Sequence, residues 1–140
     1  MPDNALNKTL QNTFKVKEGN ILQIFTYKDS LYEMDNGAIN KLQIRNDSVT
    51  VSTQLKFSNE APEVLATKKN VMYLSTLNRF YRIRDWHKEL ILDKVFWYML
   101  YPTSIAVKDD RHIYVGIRTG YAMIDAQDKK ITYYQYQGKL

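Results

Sequence analysis

The chain has 140 residues, a net charge of +5, no cysteine and 44% apolar side chains, which suits one domain burying roughly two-thirds of its unfolded surface. The lack of cysteine excludes disulfides, thiolate metal sites and a cysteine nucleophile, and it fits a reducing compartment. No stretch approaches the ~18–20 apolar residues of a membrane span, and the opening MPDNALNKTLQNTFKVKEGN has no apolar run of the secretory type, so a cytoplasmic protein without membrane contact is expected.

Residues 1–19 read as a separate N-terminal segment. Leu6, Leu10 and Phe14 recur at helical spacing and Phe14 and Val16 at strand spacing, making residues 5–16 a candidate cover for a sheet edge. Residues 20–140 read as a single domain of three β repeats, at about 20–60, 61–101 and 102–140. The first holds LQIFTY, SLYEM, AINKLQI and SVTVSTQL, and the second holds VLAT, VMYLST, RFYRIR and ELILDKVF. The third holds SIAV, HIYVGI, YAMID and ITYYQY. Such runs, rich in Ile, Val, Tyr and Phe and bounded by Asn, Asp, Gly and Lys clusters, predict four strands per repeat joined by hairpins. The alternation of Val49 and Val51 with Thr50 and Ser52 predicts one buried face per strand.

A shift of 41 residues aligns the three copies. It superposes Leu31, Met72 and Ile113, then Tyr32, Tyr73 and Tyr114, then Ile39, Phe80 and Tyr121. The register continues through Leu42, Ile83 and Ile124, through Val49, Leu90 and Ile131, and through Val51, Leu92 and Tyr133, with one residue of slack near Asp110.

The order Pro102-Thr103-Ser104-Ile105-Ala106-Val107, a polar turn, Ile113-Tyr114-Val115-Gly116, then Gly120 and an Ile124-Asp125 strand end resembles the inner strands of β-propeller blades. Those blades repeat at about 40–45 residues in the best-known families. The Gly-His and Trp-Asp signatures of WD40 blades are missing, Asp85-Trp86 having the reverse order, and so are the paired glycines of kelch blades. The resemblance implies an all-β fold of three propeller-like four-stranded antiparallel blades. Propellers close with about four to eight blades. Three blades therefore call for an oligomer, an atypical cluster, or a cover over the remaining edges such as the N-terminal segment.

Catalytic chemistry is sparse. His87 and His112 fall in different repeats, and no Gly-rich phosphate loop, nucleophile elbow or HExxH occurs. Asp109, Asp110, Asp125 and Asp128 sit in expected turns, where Asp bonds to local backbone, and Lys129 and Lys130 argue against calcium at Asp125–Asp128. No enzyme activity, cofactor or metal is expected.

Binding features are richer. In a blade, the hairpins between second and third strands share one end with the connections between blades. That end would carry Asn36, Asn78, Arg79, Arg118 and Thr119, together with Trp97, Tyr98 and Tyr101 from VFWYMLYP. Aromatic side chains with Arg are the usual material of protein-binding hot spots. The run Arg79-Phe80-Tyr81-Arg82-Ile83-Arg84 adds Arg82 and Arg84 as expected exposed cations able to grip carboxylates or phosphates, with a bulge or twist between Phe80 and Ile83. Residues 1–61 carry seven charges of each sign, so residues 62–140, with thirteen basic and eight acidic side chains, hold the whole positive surplus.

The expected function is a non-catalytic protein-binding module whose partner has an acidic surface. In size, composition and lack of chemistry the chain resembles the immunity proteins that neutralise toxins of bacterial contact-dependent growth inhibition systems. Two alternatives stand beside it. One is a carbohydrate-binding lectin that completes a propeller by homo-oligomerisation, although Trp97 has no counterpart in the other repeats. The other is a nucleic-acid binder using the basic second half, although interspersed acids interrupt any continuous basic groove.

Overall fold

In the computed structural model, the described residues are 20–95 and 101–135. They form an all-β structure of three four-stranded antiparallel sheets, each continuous in sequence. Sheet 1 holds β1 (Ile21–Tyr27), β2 (Ser30–Asp35), β3 (Ala38–Arg45) and β4 (Ser48–Lys56). Sheet 2 holds β5 (Pro62–Lys68), β6 (Val71–Thr76), β7 (Phe80–Arg84) and β8 (His87–Leu92). Sheet 3 holds β9 (Ser104–Val107), β10 (His112–Ile117), β11 (Gly120–Asp125) and β12 (Lys130–Gln135). The proposed edge-covering segment, residues 1–19, lies outside the described residues, as do Trp97 and Tyr98.

The tight turns explain why these hairpins form where they do. Lys28-Asp29, Lys69-Asn70 and Asp85-Trp86 each have positive φ at both positions, and each sits between strand ends that pair directly, as Tyr27 does with Ser30. Two-residue loops of this kind match the right-handed twist of the flanking strands. Trp86, at φ 67°, adopts a conformation unfavourable for a bulky side chain. Its ring packs 5.5 Å from Tyr27 and 5.2 Å from Tyr32, bridging sheets 1 and 2.

The 41-residue period is physical at the centre of each sheet. Leu31 faces Leu42, Met72 faces Ile83 and Ile113 faces Ile124. At the first strands Phe25 faces Tyr32 and Ala66 faces Tyr73, whereas Tyr114 faces Ala106, one residue out of step. The slack is taken up in the longer 108–111 turn. At the fourth strands the period fails: Leu42 faces Val51, Ile83 faces Lys88, and Ile124 faces Ile131. Leu90 is accordingly 40% exposed, and the neighbouring Ile91 is buried instead. A register shift between Phe80 and Tyr81, within the span where the sequence predicts a bulge or twist, leaves Ile91 of β8 as the extra residue and turns it inward.

The sheets stand side by side through their first strands, with β5 contacting both β1 and β9, and they do not close into a ring. One core lies between sheets 1 and 2, built from Met34, Ile39, Met72, Leu74 and Ile83. The other lies between sheets 2 and 3, built from Tyr73, Phe80, Ile113, Val115 and Ile124. Sheet 2 is therefore apolar on both faces, which corrects the expectation of one buried face per strand. Repeated ties cross both gaps. Tyr27 Oη donates to the Asn70 carbonyl at 3.0 Å. At the equivalent position, Lys68 Nζ donates to the Lys108 carbonyl at 2.7 Å and the Val107 carbonyl at 3.2 Å. These offsets stay near the repeat length, so equivalent strands run the same way and equivalent turns line up.

The far face of sheet 1 is mixed. Leu31, Leu42, Val49 and Val51 share it with Ile24 and Ile44, which are 60% and 59% exposed. It also holds a buried polar network: Asn40 Nδ2 donates to Glu33 Oε1 at 3.0 Å and to Asp35 Oδ2 at 3.2 Å, and Thr53 Oγ1 donates to Asn40 Oδ1 at 2.7 Å. The far face of sheet 3 is aromatic, with Tyr121 stacked 5.1 Å from Tyr134 and tilted against Tyr114 at 6.2 Å. Tyr121, whose counterparts Ile39 and Phe80 are fully buried, is 43% exposed because no further sheet covers it.

Phe80→Ala should cost about 3–5 kcal/mol, the range for emptying a core aromatic, measured by urea unfolding. Gly120 has φ +153°, and a Cβ there would lie 2.1 Å from the Tyr134 carbonyl oxygen. Gly120→Ala should therefore lower stability by about 2 kcal/mol or more. Gly37→Ala, whose Cβ meets only Asp35 Oδ1 at 3.9 Å, should stay within about 0.5 kcal/mol of wild type.

Candidate functional site

The aligned sheets give the molecule two ends with different chemistry. One end gathers the β2–β3, β6–β7 and β10–β11 turns and the connections between sheets. The backbone locks these pieces together in a repeated way: Phe57 N donates to the Gly37 carbonyl at 2.9 Å, and Val95 N donates to the Asn78 carbonyl at 2.6 Å. Gly37 and Asn78 are 41 residues apart, so each inter-sheet connection docks on the preceding turn through the same carbonyl.

Within the first of these turns, Asp35 Oδ1 accepts from Gly37 N at 2.9 Å and Ala38 N at 2.8 Å, which leaves Asn36 pointing to solvent. In the second, Arg79 N donates to Thr76 Oγ1 at 3.0 Å and the Arg79 carbonyl accepts from Thr76 N at 2.9 Å. That closed turn projects Leu77 and Asn78 outward, with Leu77 56% exposed. In the third, the exposed Arg118 has no carboxylate partner among the described residues. Tyr101, in the connection leading to β9, is 62% exposed.

Asn36, Asn78, Arg79, Tyr101 and Arg118 therefore belong to one end, as the sequence suggests. Arg79 is only partly available there. Its Nε donates to Asp93 Oδ1 at 3.0 Å, and its Nη1 lies 3.7 Å from Glu60 Oε1. The guanidinium holds the Asp93 carboxyl below its ordinary range. Glu60 Oε2 in turn accepts from Tyr81 Oη at 2.6 Å; burial, then this contact, raises the Tyr81 hydroxyl.

Arg82 and Arg84 do not join this end. Arg82, expected to be exposed, has a side chain only 12% accessible. It forks onto Glu89, with Nε 3.1 Å from Oε1 and Nη2 3.3 Å from Oε2, and its Nη1 donates to the Asp110 carbonyl at 2.6 Å. Both faces of β7 are covered by neighbouring sheets, so Arg82 becomes a strut between sheets 2 and 3. Arg84 is exposed as expected but sits at the opposite end of the strand, beside the Asp85-Trp86 turn. Trp97 and Tyr98 lie outside the described residues.

Sequence reasoning missed Leu77. The signal was available, since a leucine flanked by Thr76 and Asn78 in a turn has no strand face on which to be buried. At the opposite end, Lys28 pairs with Asp85. Arg111 grips Asp125 there, with Nε 3.0 Å from Oδ1 and Nη2 2.9 Å from Oδ2, and also reaches Asp128 Oδ2 at 3.4 Å. A guanidinium thus fills the place considered for calcium. Asp125 Oδ1 also accepts from Gln127 N and Asp128 N, both at 3.0 Å. Asp109 likewise accepts from the backbone N–H groups of Arg111 and His112, at 2.9 and 2.7 Å. Among the described residues, no group of three or more His, Asp or Glu is placed to hold a metal ion, and no helix is long and apolar enough to cross a membrane.

No model of a known protein family matches the chain. A search of curated proteins likewise returns no significant match.

The Arg111 grip, followed by the Asp128 backbone hydrogen bond, lowers the Asp125 carboxyl from 3.8 to about 2. A carboxylate depressed in the folded state stabilises fully above its unfolded value and loses that contribution as pH falls through the folded one. Stability should therefore decline between about pH 4 and about pH 2. Asp125→Asn should flatten that segment of a melting-temperature profile.

Proposed function

We propose that the protein is a non-catalytic binding module of the inhibitor or immunity type, holding a protein partner on the end formed by the β2–β3, β6–β7 and β10–β11 turns. One observation carries this reading: Leu77 and Tyr101 expose apolar and aromatic surface on the same end as the uncommitted guanidinium of Arg118. Large rigid contact area beside a fork of donors is the composition of a binding hot spot. Exposed apolar side chains in rigidly closed turns also keep the ordering cost of association small. A basic fork among them favours a partner with surface carboxylates, and the positive surplus of residues 62–140 acts in the same sense. Neutralising a toxin fits this chemistry, since blocking a partner needs adhesion and steric cover but no reaction.

The two alternatives have less support. Ring completion by further copies would place the tyrosine face of sheet 3 against the far face of sheet 1. Glu33, Asp35 and Asn40 there are already buried and hydrogen-bonded to one another, so that part of the face offers the rings no open surface. A nucleic-acid groove would need a continuous run of free cations, yet Arg79, Arg82 and Arg111 are committed to carboxylates and Arg118 lies at the opposite end of the sheets from Lys69, Arg84 and Lys108.

Affinity capture from the native host, with the wild-type chain and the Leu77→Asp, Tyr101→Ala and Arg118→Glu variants, tests the reading. A partner protein should be retained by the wild type, be inhibited by it, and bind at least about tenfold more weakly to each variant, in line with hot-spot losses above ~1.4 kcal/mol. Equal retention by all four proteins would rule out this end as the binding surface.

A further inference from the structure

At the end opposite the proposed partner face, a cleft of about 330 Å³ opens between sheets 2 and 3. Its apolar wall is Val71, Tyr73 and Val107, and its rim carries Lys69, Arg84 and Lys108. The Lys68-Lys69-Asn70 ridge separates it from a second hollow of about 420 Å³ between sheets 1 and 2. The rim cations differ from the other basic side chains nearby. Lys28, Arg82 and Arg111 each have a carboxylate partner, and Lys68 is spent on the Val107 and Lys108 carbonyls. Arg84, Lys69 and Lys108 make no ion pair among the described residues. Two carboxylates also line the cleft. Asp109 is turned into its own turn, accepting from Arg111 N, His112 N and the His112 ring. Asp110 has its backbone carbonyl fixed by Arg82, while its carboxylate has no ion-pair partner among the described residues and so competes for the cations.

We infer that this cleft is a binding site for an oligophosphate, such as pyrophosphate or the triphosphate of a nucleotide. Four cations, Lys68, Lys69, Arg84 and Lys108, line the cleft with two carboxylates, Asp109 and Asp110, so positive charge is in excess there. Arg84 offers a planar fork that matches phosphate oxygens two at a time, while Lys69 and Lys108 add compact charges. The volume lies at the lower end of small-molecule sites, about 300–1,000 Å³, and the Val71, Tyr73 and Val107 wall lowers the local dielectric, which strengthens each contact. The site is independent of the proposed partner face and lies at the other end of the sheets.

Calorimetric titration of the full chain with pyrophosphate, ATP, inorganic phosphate and citrate at low ionic strength tests the assignment. Saturable binding of pyrophosphate and ATP is expected, tighter than that of inorganic phosphate or citrate and weakening as salt is added. Arg84→Gln should weaken pyrophosphate binding about tenfold or more. The Lys69→Gln/Lys108→Gln pair should do the same, and it keeps the test alive if Arg84→Gln misfolds. Asp110→Asn should instead tighten binding about threefold, because it removes the competing negative charge; a change in fold alone would not produce that sign. The inference is overturned by any of three results: no saturable binding of either oligophosphate, affinities in the lysine pair variant within about twofold of wild type, or citrate binding as tightly as pyrophosphate.

Discussion

Met72 and Tyr73 are neighbours in the chain and are buried on opposite faces of β6. A strand withdrawn from water on both sides requires a sheet on each side, and the placement of sheets 1 and 3 follows from that requirement. Sheet 2 supplies half of each core, and the ties from Tyr27 to Asn70 and from Lys68 to Lys108 keep the three first strands in step. Each sheet then depends on its immediate neighbour, as in other repeat architectures. The same arrangement explains Arg82: on a doubly covered strand, a guanidinium must find its partners inside, and Glu89 and the Asp110 carbonyl provide them.

The central hairpins were legible in the sequence because both of their registers follow from local chemistry. Turn residues able to adopt positive φ mark the two-residue loops, and the columns through Met72, Ile83, Ile113 and Ile124 face each other as their spacing implies. The fourth strands were not legible. Their register depends on turn length, two residues at Asp85-Trp86 against four at 126–129, and on a bulge that exchanges Leu90 for Ile91. Neither leaves a periodic trace. For the candidate site, the grouping of Asn36, Asn78, Arg79, Tyr101 and Arg118 at one end could be read from blade-like connectivity. The fate of individual cations could not, because pairing depends on residues far away in sequence, such as Asp93 for Arg79 and Asp125 for Arg111.

The two ends divide the labour of charge. Around the Arg111–Asp125–Asp128 cluster and the Lys28–Asp85 pair, opposite charges are matched in exposed positions, where such pairs contribute little to stability but keep the turns in one geometry. Beside them the Lys69, Arg84 and Lys108 rim is left unmatched. At the other end, Arg79 is anchored between Asp93 and Glu60 and stiffens the turn that displays Leu77, while Arg118 stays uncommitted. Rigid backbone with a few free side chains is a sound platform for recognition at either end.

Glu33, Asp35 and Asn40 hold in sheet 1 the places that Leu74, Thr76 and Tyr81 hold in sheet 2 and that Val115, Ile117 and Ala122 hold in sheet 3. In the second and third sheets that face receives the preceding sheet. In the first sheet the three side chains are just as fully withdrawn from water, Glu33 and Asn40 at 0% and Asp35 at 7% exposure. Their desolvation is offset by the hydrogen bonds that Asn40 makes to both carboxylates. One set of places in the repeat is thus filled by directional bonds in the first copy and largely by shape in the other two, so the first sheet is sensitive there to the loss of a donor and its neighbours to a change of volume.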